Sequence, residues 1–298
     1  MERRLRKIDM AKELFSKYGY LFACPVCNAP MAIAEPATLQ CDNRHSFDLA
    51  RQGYVNLLTS SVKASKYDRE LFAARLELNQ QGFFSHLLAT LQTHLTHYAP
   101  AGADKPLTIL DAGCGEGSHL ARVVAASRSS GQPVIGLGLD IAKDGIRLAA
   151  RTYSGLLWCV ADLARAPLQA KQWDVILDIL SPANYAEFRR LLSPEGIVIK
   201  VFPGTQYLQE LRTALYAGSK QATYQNTDSR RQFAQQFTLL AEEQVCYQWE
   251  LTPSSLELLL QMTPLAWSAA ERSLTAVRQV GLPKITVDAT IMVGKAEQ

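Results

Sequence analysis

The chain has 298 residues, a formal net charge of +3 and six cysteines. That length accommodates one large domain with a small one beside it, and so slight a basic excess permits nucleic acid as a partner without the dense positive patch of a dedicated DNA-binding domain. No run of about 18 apolar residues argues for a membrane helix, and the charged opening MERRLRKIDMAKELFSKYGY lacks the apolar core of a signal peptide.

Residues 1–20 are expected to form a short amphipathic helix, with Leu5, Ile8, Met10 and Leu14 at helical spacings and Arg and Lys between them. Cys24 and Cys27 then form a C-x2-C pair, and Cys41 and His45 a C-x3-H pair, with 13 residues between the pairs. Three thiolates and an imidazole suit a closed tetrahedral zinc site. With no open coordination position, the role is structural: the ion folds a segment too small for a core of its own. Arg44, Arg51, Lys63 and Lys66 scatter positive charge in and after this segment, which suits phosphate contact or ordinary solvated surface. Cys114, Cys159 and Cys246 lie in apolar stretches and are expected to be small buried hydrophobes. No disulfide-like spacing occurs, so a reducing cytoplasm is the expected compartment.

KYDRELFAARLELNQQGFF reads as a helix ending at Gly82, and SHLLATLQTHLTHY as a second helix. From Leu107 the pattern becomes apolar runs alternating with helical stretches: LTILDAG, VIGLGLDI, LLWCVAD, WDVILDIL and GIVIKVFPG. Two further strand-like segments follow, FTLLAEEQVCYQWEL and KITVDATIMVGK. Strands apolar on both faces, separated by helices, predict an α/β doubly wound sheet of seven strands. The expected division is an amino-terminal helix and zinc-binding module at 1–60, a helical connector at 61–105 and a Rossmann-like domain at 106–298.

In ILDAGCGEGSHL, Asp111 ends the first strand of this domain, and Gly113, Gly115 and Gly117 precede a helix. Glycines there permit a tight turn and a close backbone approach to a ligand. D-x-G-x-G-x-G differs from the G-x-G-x-x-G of nicotinamide enzymes. Asp140 ends the second strand, where a carboxylate can accept two ribose hydroxyls, and Asp162 ends the third, where an acid can accept from an adenine amino group. That succession points to S-adenosylmethionine, which has an amino-acid tail, a ribose and an adenine but no pyrophosphate. After the fourth strand come Ser181, Pro182, Ala183, Asn184 and Tyr185. The stretch is similar to the polar-Pro-Pro-aromatic loop of enzymes that methylate exocyclic amines, and equally to a plain helix start with Asn184 as its cap.

CPVC…CDNRHSFDLARQGYVNLL, ARLELNQQGFF, LDAGCGEG, SPANYAEF, PGTQYL and LLLQMTPLAW together resemble the RlmA family of 23S rRNA guanine-N1 methyltransferases over nearly the whole chain. KYDRELFAAR and SPANYAEF look more like the Gram-positive branch, linked to resistance to tylosin-type macrolides, than the enterobacterial one. The resemblance implies a class I methyltransferase fold and a cofactor pocket that includes Phe84, Gly115, Glu116 and Tyr207. It also implies that the zinc module helps recognise the rRNA hairpin around helix 35, and it makes a homodimer plausible. Guanine N1 carries a proton at neutral pH, and the candidates for removing it are Asp178, or water held by Ser181 and Asn184. A guanine turned out of its stack would rest against Tyr185, Phe84 or Trp267. The alternative substrates are a small molecule or another RNA.

Overall fold

The computed structural model describes residues 6–60, 67–100, 105–217, 219 and 224–297; Leu5, Lys63 and Lys66 lie outside the described residues. Helix α1 (Lys7–Tyr18) leads into β1 (Met31–Ala34), β2 (Thr38–Cys41), β3 (Ser46–Asp48) and the two-residue β4 (Val55–Asn56). Helices α2 (Arg69–Gln80) and α3 (Ser85–Tyr98) follow. The alternating region comprises β5 (Leu107–Ala112), α4 (Ser118–Ser129), β6 (Val134–Asp140), α5 (Lys143–Thr152), β7 (Leu157–Val160), β8 (Trp173–Ile179), α6 (Tyr185–Leu191) and β9 (Leu192–Pro203). Then come α7 (Gln209–Tyr216), α8 (Thr227–Gln236), β10 (Thr238–Glu250), α9 (Pro253–Met262), α10 (Glu271–Val280) and β11 (Lys284–Lys295).

The main sheet runs in the order β10-β11-β9-β8-β5-β6-β7-β4. The seven expected strands are all present, and β10 and β11 are its antiparallel members. An eighth strand comes from outside the expected set: Val55 and Asn56 pair in parallel with Cys159 and Val160. Without β4, the β7 edge would leave its backbone donors and acceptors open. Strand alternation sends Leu107 and Ile109 into one core layer, against α3, α4, α5 and α9, and Leu110 and Ala112 into the other, against α1 and α6. Cys114 and Cys159 are buried as expected, but Cys246 is exposed, because β10 is the outermost strand and turns alternate side chains to water.

Two local devices set the site's walls. Asp68 caps α2 by accepting from Leu71 N–H at 2.9 Å. The helix ends with Phe83 N–H on the Leu78 carbonyl and Gly82 N–H on the Asn79 carbonyl, both at 3.1 Å, with Gly82 at φ +94°. This Schellman arrangement turns the chain sharply and delivers Phe84 to the start of α3. Among the described residues no helix is long and apolar enough to cross a membrane.

Candidate active site and metal centre

The four expected metal ligands converge. Cys24 Sγ and Cys41 Sγ each lie 3.5 Å from His45 Nδ1, and Cys27 Sγ lies 3.7 Å from Cys41 Sγ. All four donor atoms fall within 4.8 Å of one another. With Zn–S near 2.3 Å and Zn–N near 2.0 Å, such separations are the edges of one tetrahedron, so the residues fit a zinc ion. Each pair sits on a tight knuckle: Asn28 N–H bonds the Cys24 carbonyl and Arg44 N–H the Cys41 carbonyl, both at 2.8 Å. Asn28 and Arg44 take left-handed φ of 62° and 63°. Asn43 Nδ2 donates to Cys27 Sγ at 3.3 Å, and that hydrogen bond is the chief reason the Cys27 thiol is lowered to about 6. Arg44, next to His45 in the chain, and Arg51 are exposed.

The glycine loop lies where β5 meets α4. Gly113, Gly115 and Gly117 hold φ of +80°, +55° and +80°. A Cβ at Gly113 would overlap the Ser181 hydroxyl, and one at Gly117 the ring of Trp158. Asp140 does its own work on this loop: its two oxygens accept Gly115 N–H and Ala142 N–H, each at 2.8 Å. Glu116 is buried and accepts from Asn79 Nδ2 at 2.9 Å. Burial first, then the negative charges of Asp178, Glu116 and Asp140, pushes the Asp111 carboxyl well above its usual range. Burial likewise raises Glu116 and Asp140. Although buried, Asp111 Oδ2, Asn79 Oδ1 and His119 Nε2 have no hydrogen-bond partner among the described residues. An acidic wall with unsatisfied buried polar atoms fits a ligand that carries positive charge and hydrogen-bonding groups.

The remaining expected cofactor residues are Phe84, Tyr207 and Asp162. Phe84 is buried, edge-on to Phe83 at 4.7 Å and to His119 at 5.2 Å between ring centres. Burial pushes the Tyr207 phenol up to about 12. Asp162 stands apart: it is exposed and spends Oδ1 on Ala164 N–H at 2.8 Å, capping the turn at 163–165.

Near the end of β8, Asp178 is wholly buried, and Lys200 Nζ lies 2.9 Å from its Oδ1. Burial raises the Asp178 carboxyl, while Lys200 and Ser181 oppose that shift. Lys200 also donates to the Ser181 carbonyl. The Ser181 hydroxyl donates to the Ala112 carbonyl at 2.9 Å, and so ties this loop to the end of β5. Asn184 caps α6 by accepting Glu187 N–H at 3.3 Å, and its amide reaches the Ala164 carbonyl at 3.2 Å. Its position is therefore that of the plain helix cap, with the addition that it couples the loop after β8 to the loop after β7. Of the three aromatics suggested for stacking, Tyr185 is packed among Phe188, Phe233 and Phe237, Phe84 is buried, and Trp267 is half-buried against Tyr67 at 5.0 Å.

Four site residues escaped the sequence: Arg75 and Asn79 on α2, His119 on α4 and Lys200 on β9. Lys200 carried a usable signal, because a lone cation in the apolar run GIVIKVFPG requires a partner. The α2 pair carried none, since helical periodicity does not say what a polar face meets. A pocket of about 280 Å³ lies instead at the amino ends of β5, β8 and β9. Of its two acids, Asp174 accepts from Thr108 N–H, Thr108 Oγ1 and Ser193 Oγ, and Glu195 pairs with Lys295, so that end is structural.

The zinc module is fastened to the segment that joins β7 to β8. Ala23 N–H bonds the Pro167 carbonyl at 3.0 Å, and Gln169 N–H the Leu21 carbonyl at 2.9 Å. The loop after β7 therefore touches the metal module on one side and Asn184 on the other.

The family model of the RlmA amino-terminal zinc ribbon matches residues 22–66. The chain is 43% identical over 276 residues to a Bacillus subtilis (strain 168) protein named "Putative 23S rRNA (guanine-N(1)-)-methyltransferase YxjB", covering 92% of this chain and 96% of that one. It is 32% identical over 273 residues to the 23S rRNA (guanine(748)-N(1))-methyltransferase of Streptomyces fradiae, covering 91% and 95%.

Proposed function

The chain belongs to the RlmA family of 23S rRNA (guanine-N1)-methyltransferases, and from that premise we propose that it methylates N1 of a guanine in the hairpin loop of helix 35 of 23S rRNA, in domain II near the macrolide site. The methyl donor is S-adenosylmethionine, and zinc is structural. The observation that carries this is the presence of two parts in one chain: a Cys3His cluster whose module bonds the segment after β7, and an acid-lined glycine loop at the carboxyl ends of β5 and β6.

When bound, the cofactor supplies an electrophilic methyl group on a sulfonium sulfur. Asp111, Glu116 and Asp140 favour its cationic portion electrostatically. Asp140 keeps lone pairs for ribose hydroxyls after its two backbone bonds, and Phe84 and Tyr207 shield the site from water. Asp162, exposed on the turn after β7, is left to serve the adenine side.

Positioning supplies most of the catalysis, because the electrophile is already strong. Lys200 holds the Ser181 carbonyl, fixing an acceptor toward which the N1–H edge of a guanine can be aligned. Asp178 is paired with Lys200 and buried, so it acts through that cation, and the proton leaves to water beside Ser181 and Asn184. In Asp178→Asn the single-turnover rate should fall while its slope against pH is retained. A lost pH slope would instead make Asp178 the base.

The deciding experiment is transfer of labelled methyl from the cofactor to naked 23S rRNA, with primer-extension mapping of the modified base. Labelling of small amines in place of RNA would overturn the assignment. Position 748, named for the Streptomyces relative, is the expected target. A cytoplasmic location and a homodimer astride the hairpin complete the proposal, the latter read by light scattering with and without the hairpin.

A further inference from the structure

Arg75 is the cation of the glycine loop. It projects from α2 one turn before Asn79, whose amide holds Glu116. Its Nη1 comes within 4.0 Å of where a Cβ on Gly115 would stand, and Phe72 of the same helix packs on Gly115 and Gly145. The guanidinium lies over the rings of Tyr67 and Phe72, 5.4 and 5.8 Å from their centres. Its Nε donates to the Met262 carbonyl at 3.3 Å. Among the described residues the Nε bond to Met262 is its one hydrogen bond, no carboxylate pairs with it, and Nη1 and Nη2 have no acceptor. One nitrogen is thus anchored, the plane is held by aromatic faces, and the two-nitrogen fork is left for a planar anion.

The surroundings say which anion. Asp111, Glu116 and Asp140 suit the sulfonium and the ammonium of the cofactor but repel its carboxylate, and that carboxylate needs a cation. Glu116, Asp140, His119 and Tyr207 all feel the charge of Arg75, so it is central to the set. Buried Asn79 Oδ1 lacks a donor, which an adjacent ammonium would provide. We propose that Arg75 holds the carboxylate of the cofactor's amino-acid tail through its Nη1/Nη2 fork, as a binding and positioning residue that orients the methyl group. This rests on S-adenosylmethionine being the donor.

The test uses two probes: S-adenosylhomocysteine, which has the amino-acid tail, and 5′-methylthioadenosine, which lacks it. Calorimetric titration of the full-length, zinc-loaded protein should show that Arg75→Met weakens S-adenosylhomocysteine by about 10- to 100-fold, the usual range for a lost charge-assisted bond. Binding of 5′-methylthioadenosine should stay within about twofold, and Arg75→Lys should recover part of the loss. Equal losses for both probes would mean that Arg75 only shapes the site and would overturn the assignment. An unchanged S-adenosylhomocysteine affinity beside weakened rRNA binding would also overturn it, giving Arg75 to a phosphate. If the wild-type protein bound neither probe, the cofactor assignment itself would fall, an outcome distinct from the other two.

Discussion

Gly113, Gly117 and Gly131 all sit at positive φ, yet only the first two have side chains pressed against the space a Cβ would take. At Gly131 nothing lies within 4 Å. Gly131→Ala should therefore cost about 1–2 kcal/mol of left-handed strain and leave ligand binding intact. Gly113→Ala must also displace Ser181, so S-adenosylhomocysteine affinity should drop at least about tenfold in titration. Charge at residue scale has a direction too. The carboxyls of Asp111, Glu116 and Asp140 are raised by burial, so they hold protons more readily than usual. A bound sulfonium favours their ionised forms, which lowers those values and expels protons. Affinity for S-adenosylmethionine should then weaken as pH falls from neutral into the raised carboxyl range. The neutral thioether of S-adenosylhomocysteine should give a shallower slope. Calorimetry in buffers of different ionisation heat counts the protons released, and zero release would refute the account.

Between β8 and β9, Asp178 and Lys200 face each other directly in the ladder and are both buried. Lys200→Met would leave a buried carboxylate unpaired, a loss of about 3–5 kcal/mol in denaturant unfolding. Pairing it with Asp178→Leu removes that orphan charge, and most of the stability should return. Methyl transfer should not return, because the Ser181 carbonyl still lacks its donor. Recovery of both together would show that the pair serves stability alone. The glycines have a matching role between elements: Gly117 and Gly138 make room for the ring of Trp158, which seats the loop on β7.

For the molecule as a whole, the metal module is part of the catalytic body. Its β4 forms the outer strand beside β7, and its core residues Phe15, Phe22 and Leu39 join the same layer as Leu110 and Leu137 of the sheet. Structural zinc in small modules contributes on the order of 10 kcal/mol, so the effect of chelation should extend past the module itself. It should lower the melting temperature of the whole chain and abolish rRNA methylation, and added zinc, but not magnesium, should restore both. A chelated protein that melts unchanged would contradict the shared core.

Residue identity alone determined the ligand set, because three thiolates and an imidazole in two knuckles have one economical use, and it determined the alternation of strands and helices through hydrophobic period. It also marked the acids at strand ends, where a carboxylate closes an apolar run. Only the tertiary structure decided what those groups face. Asp140 is engaged with its own glycine loop, Asn184 with a neighbouring loop, and Asp178 with a lysine on the next strand. Arg75 entered the site only once α2 was laid across Gly115. Periodicity encodes which face of an element is buried, whereas the partner across that face depends on contacts between residues far apart in the chain, and no local pattern carries that information.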